Sequence, residues 1–113
     1  MSLFISSRSE FENLIKHGAD LSRYTFAHGL NLTNLNLNKV NFTDVVMNNV
    51  DFKNSSFCEA VFDGAVLIGV DMGYCDLSMA SFLEADALKC VFDGANLFRA
   101  YMKDARLIGS SFI

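Results

Sequence analysis

The feature that most constrains this chain is a large apolar residue at every fifth position from residue 32 onward. Seventeen such centres run from Leu32, Leu37, Phe42 and Met47 to Met102, Leu107 and Phe112, and sixteen of them are Leu, Met or Phe. Ala87 is the exception. Two places before each centre stands a small or aliphatic residue, such as Val45, Ala60, Cys75, Cys90 or Ala95, and the register does not slip over residues 30–112. Five is neither the 3.6 of a helix nor the 2 of a strand. A fixed period of this kind marks a repeat architecture.

Two inward residues per five leave three to face outward or to turn a corner. A chain that turns after every unit closes a square and stacks on itself. Coils then lie ~4.8 Å apart, the spacing of paired strands, and backbone groups pair between coils, as buried backbone requires. Seventeen units make a little over four coils, a rod roughly 20 Å long at that spacing.

The residues Ala95-Asn96-Leu97, and Cys75-Asp76-Leu77 with Cys for Ala, carry a resemblance to the pentapeptide repeat family, whose consensus is A-(D/N)-L-x-x. The resemblance covers about three-quarters of the chain. It implies an all-β fold, a right-handed quadrilateral β-solenoid with four units per coil and one unit per side. Function varies widely on one fold, so the resemblance implies architecture before activity.

Gly64, Gly69, Gly94 and Gly109 each lie two places after a centre. That is a turn position, where glycine accepts unusual dihedrals. Asn31, Asn36, Asn41, Asp51, Asp71, Asp76, Asp86 and Asn96 each precede a centre. Their side chains suit local bonds to the backbone.

The first residues break the period. Ala19-Asp20-Leu21, then Tyr24 and Phe26, read as two earlier units, thrown out of phase by one extra residue near Gly29. Before them, Ser7 with Glu10, or Ser9 with Glu12, forms a capping box. Phe11, Leu14 and Ile15 share a helical face, and Gly18 suits a helix end. Residues 1–18 are therefore expected to form a capping segment with a helix over 8–17, and residues 19–113 the solenoid. The chain stops at Phe112-Ile113 in mid-coil with no such cap. Two alternatives follow: the chain is a fragment of a longer protein, or the open end pairs with a second subunit.

Composition narrows the function classes. Hydrophobic residues make up 51%, with no apolar run near the ~20 residues that a membrane helix needs. Net charge is −4, and residues 1–29 balance Arg8, Lys16 and Arg23 against Glu10, Glu12 and Asp20. Direct nucleic-acid binding needs a basic patch and is not expected. Cys58, Cys75 and Cys90 have no metal-ligand spacing, and an odd thiol count argues against a disulfide framework. A reducing compartment follows as the default, bacterial and cytoplasmic, or secretion as an effector if the chain is a fragment. His17 and His28 fall in or near the cap and read as surface or capping residues. Cys58 follows a centre and reads as a plain surface thiol. No phosphate loop or nucleophile elbow is present. The chain is therefore expected to be no enzyme and to use no cofactor or metal.

Positions twenty apart stack, so each outward column can be read directly. One side carries Val46, Val66, Asp86 and Arg106 before its centres and Asn48, Ile68, Leu88 and Ile108 after them. Val66, Ile68, Leu88 and Ile108 form a candidate protein-contact strip. A second side carries Asp44, Gly64, Glu84 and Asp104, with Asp63 beside them. The acids Asp44, Asp63, Glu84 and Asp104 form a candidate acidic face, in steps not far from the ~3.4 Å between phosphates on a DNA strand. Cys75 to Phe82, CDLSMASF, is similar to segments of family members that mimic DNA, bind type II topoisomerases and confer quinolone resistance, although Thr43 and Lys103 dilute the acidic line. The favoured expectation is a non-catalytic interaction scaffold for a protein partner, self-associating through the open end or the strip. DNA mimicry is the alternative.

Overall fold

The computed structural model describes residues 3–113. Its regular elements, in chain order, are β1 (Phe4–Ile5), α1 (Arg8–Lys16), β2 (Thr25–Phe26), β3 (Val46–Asn48), β4 (Val66–Ile68) and β5 (Asp86–Leu88). The strands form one parallel sheet in the order β1-β2-β3-β4-β5. That sheet is only one side of the molecule. Parallel bridges also join Asn31 to Asp51, Asn36 to Ser56, and Asn41 to Val61, each twenty residues apart. The chain therefore has four sides, headed by Leu32, Leu37, Phe42 and Met47. This is the all-β solenoid that the five-residue period predicts.

One hydrogen-bond pattern builds all four sides. On the second side, the Ser56 N–H donates down to the Leu35 carbonyl at 2.9 Å, and the Leu37 N–H donates up to the Ser56 carbonyl at 2.7 Å. The Lys39 N–H then donates up to the Cys58 carbonyl at 2.9 Å. The first side repeats this with Asp51 to Leu30, Leu32 to Asp51 and Asn34 to Lys53. Within each coil the unit turns through a tight bond, such as Ala60 N–H to the Phe57 carbonyl at 2.9 Å. The backbone is thus satisfied without long strands.

The corners differ from the sequence expectation. Thirteen of the described residues other than glycine take φ between 54° and 66°. Twelve of them lie two places after one of the seventeen centres, such as Asn34, Lys39, Tyr74 and Arg99, and Arg23 lies two places after Leu21. The left-handed corner is therefore general and does not need glycine. Its cost of roughly 1–2 kcal/mol is offset by the corner N–H, which bonds to the next coil at Lys39, Tyr74 and Glu84 alike. Glycine has a different task. A Cβ on Gly94 would lie 2.5 Å from the Tyr74 ring, and one on Gly64 would overlap the Asp44 carboxylate. At Gly64, Gly69 and Gly94 the corner side chain of the coil below leans over the glycine, whereas nothing lies within 4 Å of a Cβ at Gly29.

The inward residues meet as predicted through the middle of the rod. Every centre from Leu32 to Phe92 is buried, as are the small positions from Val45 to Cys90. Phe42, Phe62 and Phe82 stack one above another, with ring centroids 4.9 Å apart at each step and planes within 9°. The last coil departs from the expectation. Leu97, Met102 and Leu107 are half-buried, and Phe112 is 47% exposed, because no described coil lies above them.

At the other end α1 runs over Arg8–Lys16, one residue shorter than expected. Ser7 is the N-cap, its hydroxyl accepting from the Glu10 N–H at 3.1 Å. The return arm of the capping box is not made to Ser7. Instead the Ser6 hydroxyl donates to the Glu10 carboxylate. Phe11 is fully buried and stacks beneath Phe42 at 6.4 Å. The sequence reading missed β1, which pairs Phe4 with Thr25 and Ile5 with Phe26 and buries Ile5 completely. The extra residue near Gly29 is real: Thr25 pairs with Val46 twenty-one positions on, where later pairs are twenty apart. With β1 and α1 added below the repeats, the longest extent is 34 Å.

Ala87 is fully buried in the column of Met47, Leu67 and Leu107. Beside it Phe82 and Phe92 meet edge to face at 6.0 Å. With these two rings in contact beside a fully buried position, Ala87→Leu should destabilise the fold by ~1–3 kcal/mol, the scale of overpacking. A higher melting temperature for the variant would instead reveal an unfilled void. Gly94→Ala should likewise destabilise, and Tyr74→Ala should relieve part of that loss. A double-mutant cycle on thermal melts should give a coupling of at least ~0.5 kcal/mol. Strict additivity would show that the corner glycine serves dihedral freedom alone.

Candidate functional site

The local chemistry of the polar positions separates structural groups from free ones. Asn31, Asn36, Asn41, Asp51, Asp71, Asp76 and Asn96 each accept, through a side-chain oxygen, the N–H two residues on, at 2.9–3.1 Å. These are Asx turns that lead the chain into its corner. Asp86 makes no such bond among the described residues and lies in β5. Lys53 bridges stacked Asp51 and Asp71 at 3.0 and 3.2 Å, and the two carboxylates raise its pKa.

A second set was not read from the sequence. Asn38, Asp63 and Asp93 follow a centre and reach up one coil. Asp63 accepts from the Leu83 N–H at 3.1 Å and from the Ser81 hydroxyl. Asn38 does the same to Cys58 and Ser56, and Asp93 to Ile113 and Ser111. The Ser111 hydroxyl, with the Ile113 N–H, holds the Asp93 carboxyl below the ordinary carboxylate range. The signal was present: each of these acceptors has Ser eighteen residues later, at Ser56, Ser81 and Ser111.

These bonds reshape the candidate acidic face. Asp63 is a half-buried clasp between coils. Asp44 leans over Gly64, and Gly64 itself contributes no charge. Glu84 and Asp104 are exposed. The four acids share one side, but only three have free carboxylates, and a gap separates Asp44 from Glu84.

The candidate apolar strip lies on the side that carries the sheet. Val66 pairs with Val46 and Asp86, and Ile68 pairs with Asn48 and Leu88. Val66, Ile68 and Leu88 are half-buried by their stacked neighbours, while Ile108 is 56% exposed. The structure thus brings Ile68, Leu88 and Ile108 into one outward column. It also exposes apolar side chains that the sequence reading did not single out: Tyr74, Met79, Phe98 and Tyr101, on the third and fourth coils. Arg99 lies 5.3 Å from the centroid of the Phe98 ring. Their signal was position, since none of the four occupies an inward slot.

His17, His28, Cys75 and Cys90 are held in structural roles, while Cys58 is half-buried. His17 caps α1, its Nδ1 lying 2.8 Å from the Asn13 carbonyl, and His28 Nε2 lies 2.7 Å from the Asn49 side-chain amide. Among the described residues no group of three or more His, Cys, Asp or Glu is placed to hold a metal. Cys75 and Cys90 are buried, donating to the Phe52 and Leu67 carbonyls. Burial, the largest cause, pushes both thiols up to about 11. Among the described residues no helix is long and apolar enough to cross a membrane.

The family model for pentapeptide repeats matches residues 28–64, 46–82 and 75–112, in eight copies. The chain belongs to the pentapeptide repeat family. Among solved structures it resembles the pentapeptide repeat protein Rfr23 from the cyanobacterium Cyanothece 51142, at 21% identity and a TM-score of 0.56, over 84% of this chain and 65% of that one. HetL, from the cyanobacterium Nostoc sp. strain PCC 7120 and involved in heterocyst differentiation regulation, matches at 28% identity and a TM-score of 0.41, over 81% of this chain and 48% of that one. A protein of the Arabidopsis thaliana thylakoid lumen matches at 18% identity and a TM-score of 0.44, over 76% of this chain and 63% of that one. The chain thus spans less than two thirds of each of these relatives. No curated protein matches the sequence.

The thiols provide a direct check on this pentapeptide repeat core. At pH 8 a small alkylating reagent should modify Cys58 in the folded protein and leave Cys75 and Cys90 protonated and shielded. Denaturant should open all three. Intact-mass measurement reads the adduct number. Equal native reactivity of all three thiols would contradict the buried placement.

Proposed function

We propose that this pentapeptide repeat chain is a non-catalytic interaction scaffold that presents its sheet side to a protein partner. The observation that carries the reading is the column Ile68, Leu88 and Ile108, three aliphatic side chains in register on successive coils. Parallel pairing fixes their spacing, so the strip is flat and rigid. A rigid surface loses little conformational entropy on binding. Burying apolar area contributes roughly 25 cal/mol per Å², before association costs. Val66 flanks the strip on one edge, and Asn48 and Asp86 give it a polar margin. The acidic side supports the DNA-mimic alternative less well, because Asp63 is committed to Leu83 and Ser81 and Gly64 interrupts the column.

Leu88→Lys tests the proposal. The side chain faces outward, so the fold should persist by circular dichroism and melting. Self-association by light scattering, or partner capture by the immobilised protein, should weaken at least tenfold, about 1.4 kcal/mol. Assembly and binding equal to wild type would remove the strip as the contact surface and favour the side bearing Glu84 and Asp104.

A further inference from the structure

The underside of the first coil is covered unequally. On the third side, the Arg23 N–H donates to the Thr43 carbonyl at 2.8 Å. On the fourth, the Val46 N–H donates to the Tyr24 carbonyl at 3.0 Å. On the first side, Arg8 of α1 reaches the Asn31 carbonyl at 3.4 Å. The Asn31 N–H and the Thr33 carbonyl on the first side, and the Asn41 N–H and carbonyl on the third, have no partner among the described residues, but each of those sides is held by one bond. The second side, Leu35–Lys39, receives none from below. Among the described residues the Asn36 N–H, the Asn36 carbonyl and the Asn38 carbonyl have no partner. One coil higher the equivalent groups of Ser56 and Cys58 are all paired.

Two clefts lie where a strand beneath the second side would run. One of about 220 Å³ is lined by Phe11, Ile15, Leu35 and Leu37, with Glu12 and Lys16 at its margin. The other, about 330 Å³, is lined by Ile15, Ala19 and Val40, with Asp20 and Lys39. Each cleft carries one acid and one base, so neither selects a charged ligand. Side chains at alternate positions of a strand would point into this space.

We propose that the lower edge of Leu35–Lys39 is a docking site for an extended, uncharged peptide segment of a partner protein, added as a parallel strand. The register follows from the ladder of the other coils. A carbonyl of the peptide accepts from the Asn36 N–H. The N–H two residues on donates to the Asn36 carbonyl, and the N–H four residues on donates to the Asn38 carbonyl. A small and then a large apolar side chain at the first two of these positions enter the clefts. Backbone bonds would supply affinity and the clefts side-chain selection, as in other strand-addition complexes. This site is on the second side of the first coil and Leu88 on the fourth side of the third, so its test is independent of the strip.

A suitable probe is a fluorescein-labelled peptide of this chain's own Gly94–Tyr101 with Arg99→Gln to leave it uncharged, whose Ala95 and Leu97 have the required spacing. Titration with the intact protein should give saturable anisotropy, with hydrogen-exchange protection appearing at the Asn36 amide. Asn36→Pro removes that donor and should weaken binding at least about tenfold. Asn36→Ala, which loses only the Asx bond, should bind as wild type. A peptide N-methylated at Leu97 should also lose at least about tenfold, independently of any effect on the protein's folding. One methylated at Phe98 should not. The proposal is overturned by absence of saturable binding, by equal binding of the Leu97-methylated peptide, or by protection confined to other residues. Protection of Asn36 that rises with protein concentration alone would assign the edge to a second copy and would also overturn it.

Discussion

The structure depends on one constraint: every coil must hydrogen-bond to the next at a fixed offset of twenty residues. Short strands of two or three residues would be too weak alone. Here each side adds three bonds to the coil above, and all four sides do so together. The offset forces four units of equal length into each coil. Equal units then force the centres into columns, and columns let Phe42, Phe62 and Phe82 stack face to face. The five-residue period is thus the sequence image of a hydrogen-bond requirement, with packing as its consequence. The one irregular coil illustrates the point. Its extra residue, near Gly29, shifts the offset to twenty-one, and the pairing of Thr25 with Val46 survives because the insertion is confined to a corner.

The small inward position contributes more than space. Ser55 and Cys75 stand where most coils have Ala or Val, and both turn their donors to a carbonyl of the coil below, at Leu32 and Phe52. Cys90 does so at Leu67, and Ser110 at Ala87. No buried side-chain N or O atom among the described residues lacks a partner. A polar atom enters this core only where a backbone carbonyl faces it, which limits the polar substitutions that the slot accepts.

What was legible in the sequence follows from which interactions are periodic. The centres, the small partners and the Asx turns recur every five residues, so counting finds them. Leu97, Met102 and Phe112 obey the same count yet are not buried, because burial also needs a coil above, and periodicity carries no information about that. The strand at Phe4–Ile5 escaped notice because α1 separates it from the coil that it joins. Its only trace is the distance of twenty-one from Ile5 to Phe26. The clasps of Asn38, Asp63 and Asp93 pair positions eighteen and twenty apart, visible only once the stacking offset is known. For the same reason Asp63 read as a free acid of the candidate face. The apolar column Ile68, Leu88 and Ile108 was legible because outward columns obey the same offset. Its degree of exposure was not, since that depends on how neighbours lean.

The ladder also gives each coil a direction. Toward the next coil a unit offers two N–H groups, from its centre and its corner, and one carbonyl, from its small position. Toward the previous coil it offers two carbonyls and one N–H. Like ends therefore present like groups, and a coil stacks well only on the opposite face of another. Two copies meeting through their last coils would set donors largely against donors, so strand pairing favours a head-to-tail approach over a two-fold one. At the first coil, α1 and the residues around Leu21 and Phe26 occupy most of the acceptor-rich face. The second side alone receives no bond from below among the described residues, which leaves its two carbonyls and one N–H unpaired. A single strand can satisfy those groups where a whole coil would collide with α1. The fold thus narrows the ligands of that end to something extended, parallel and thin.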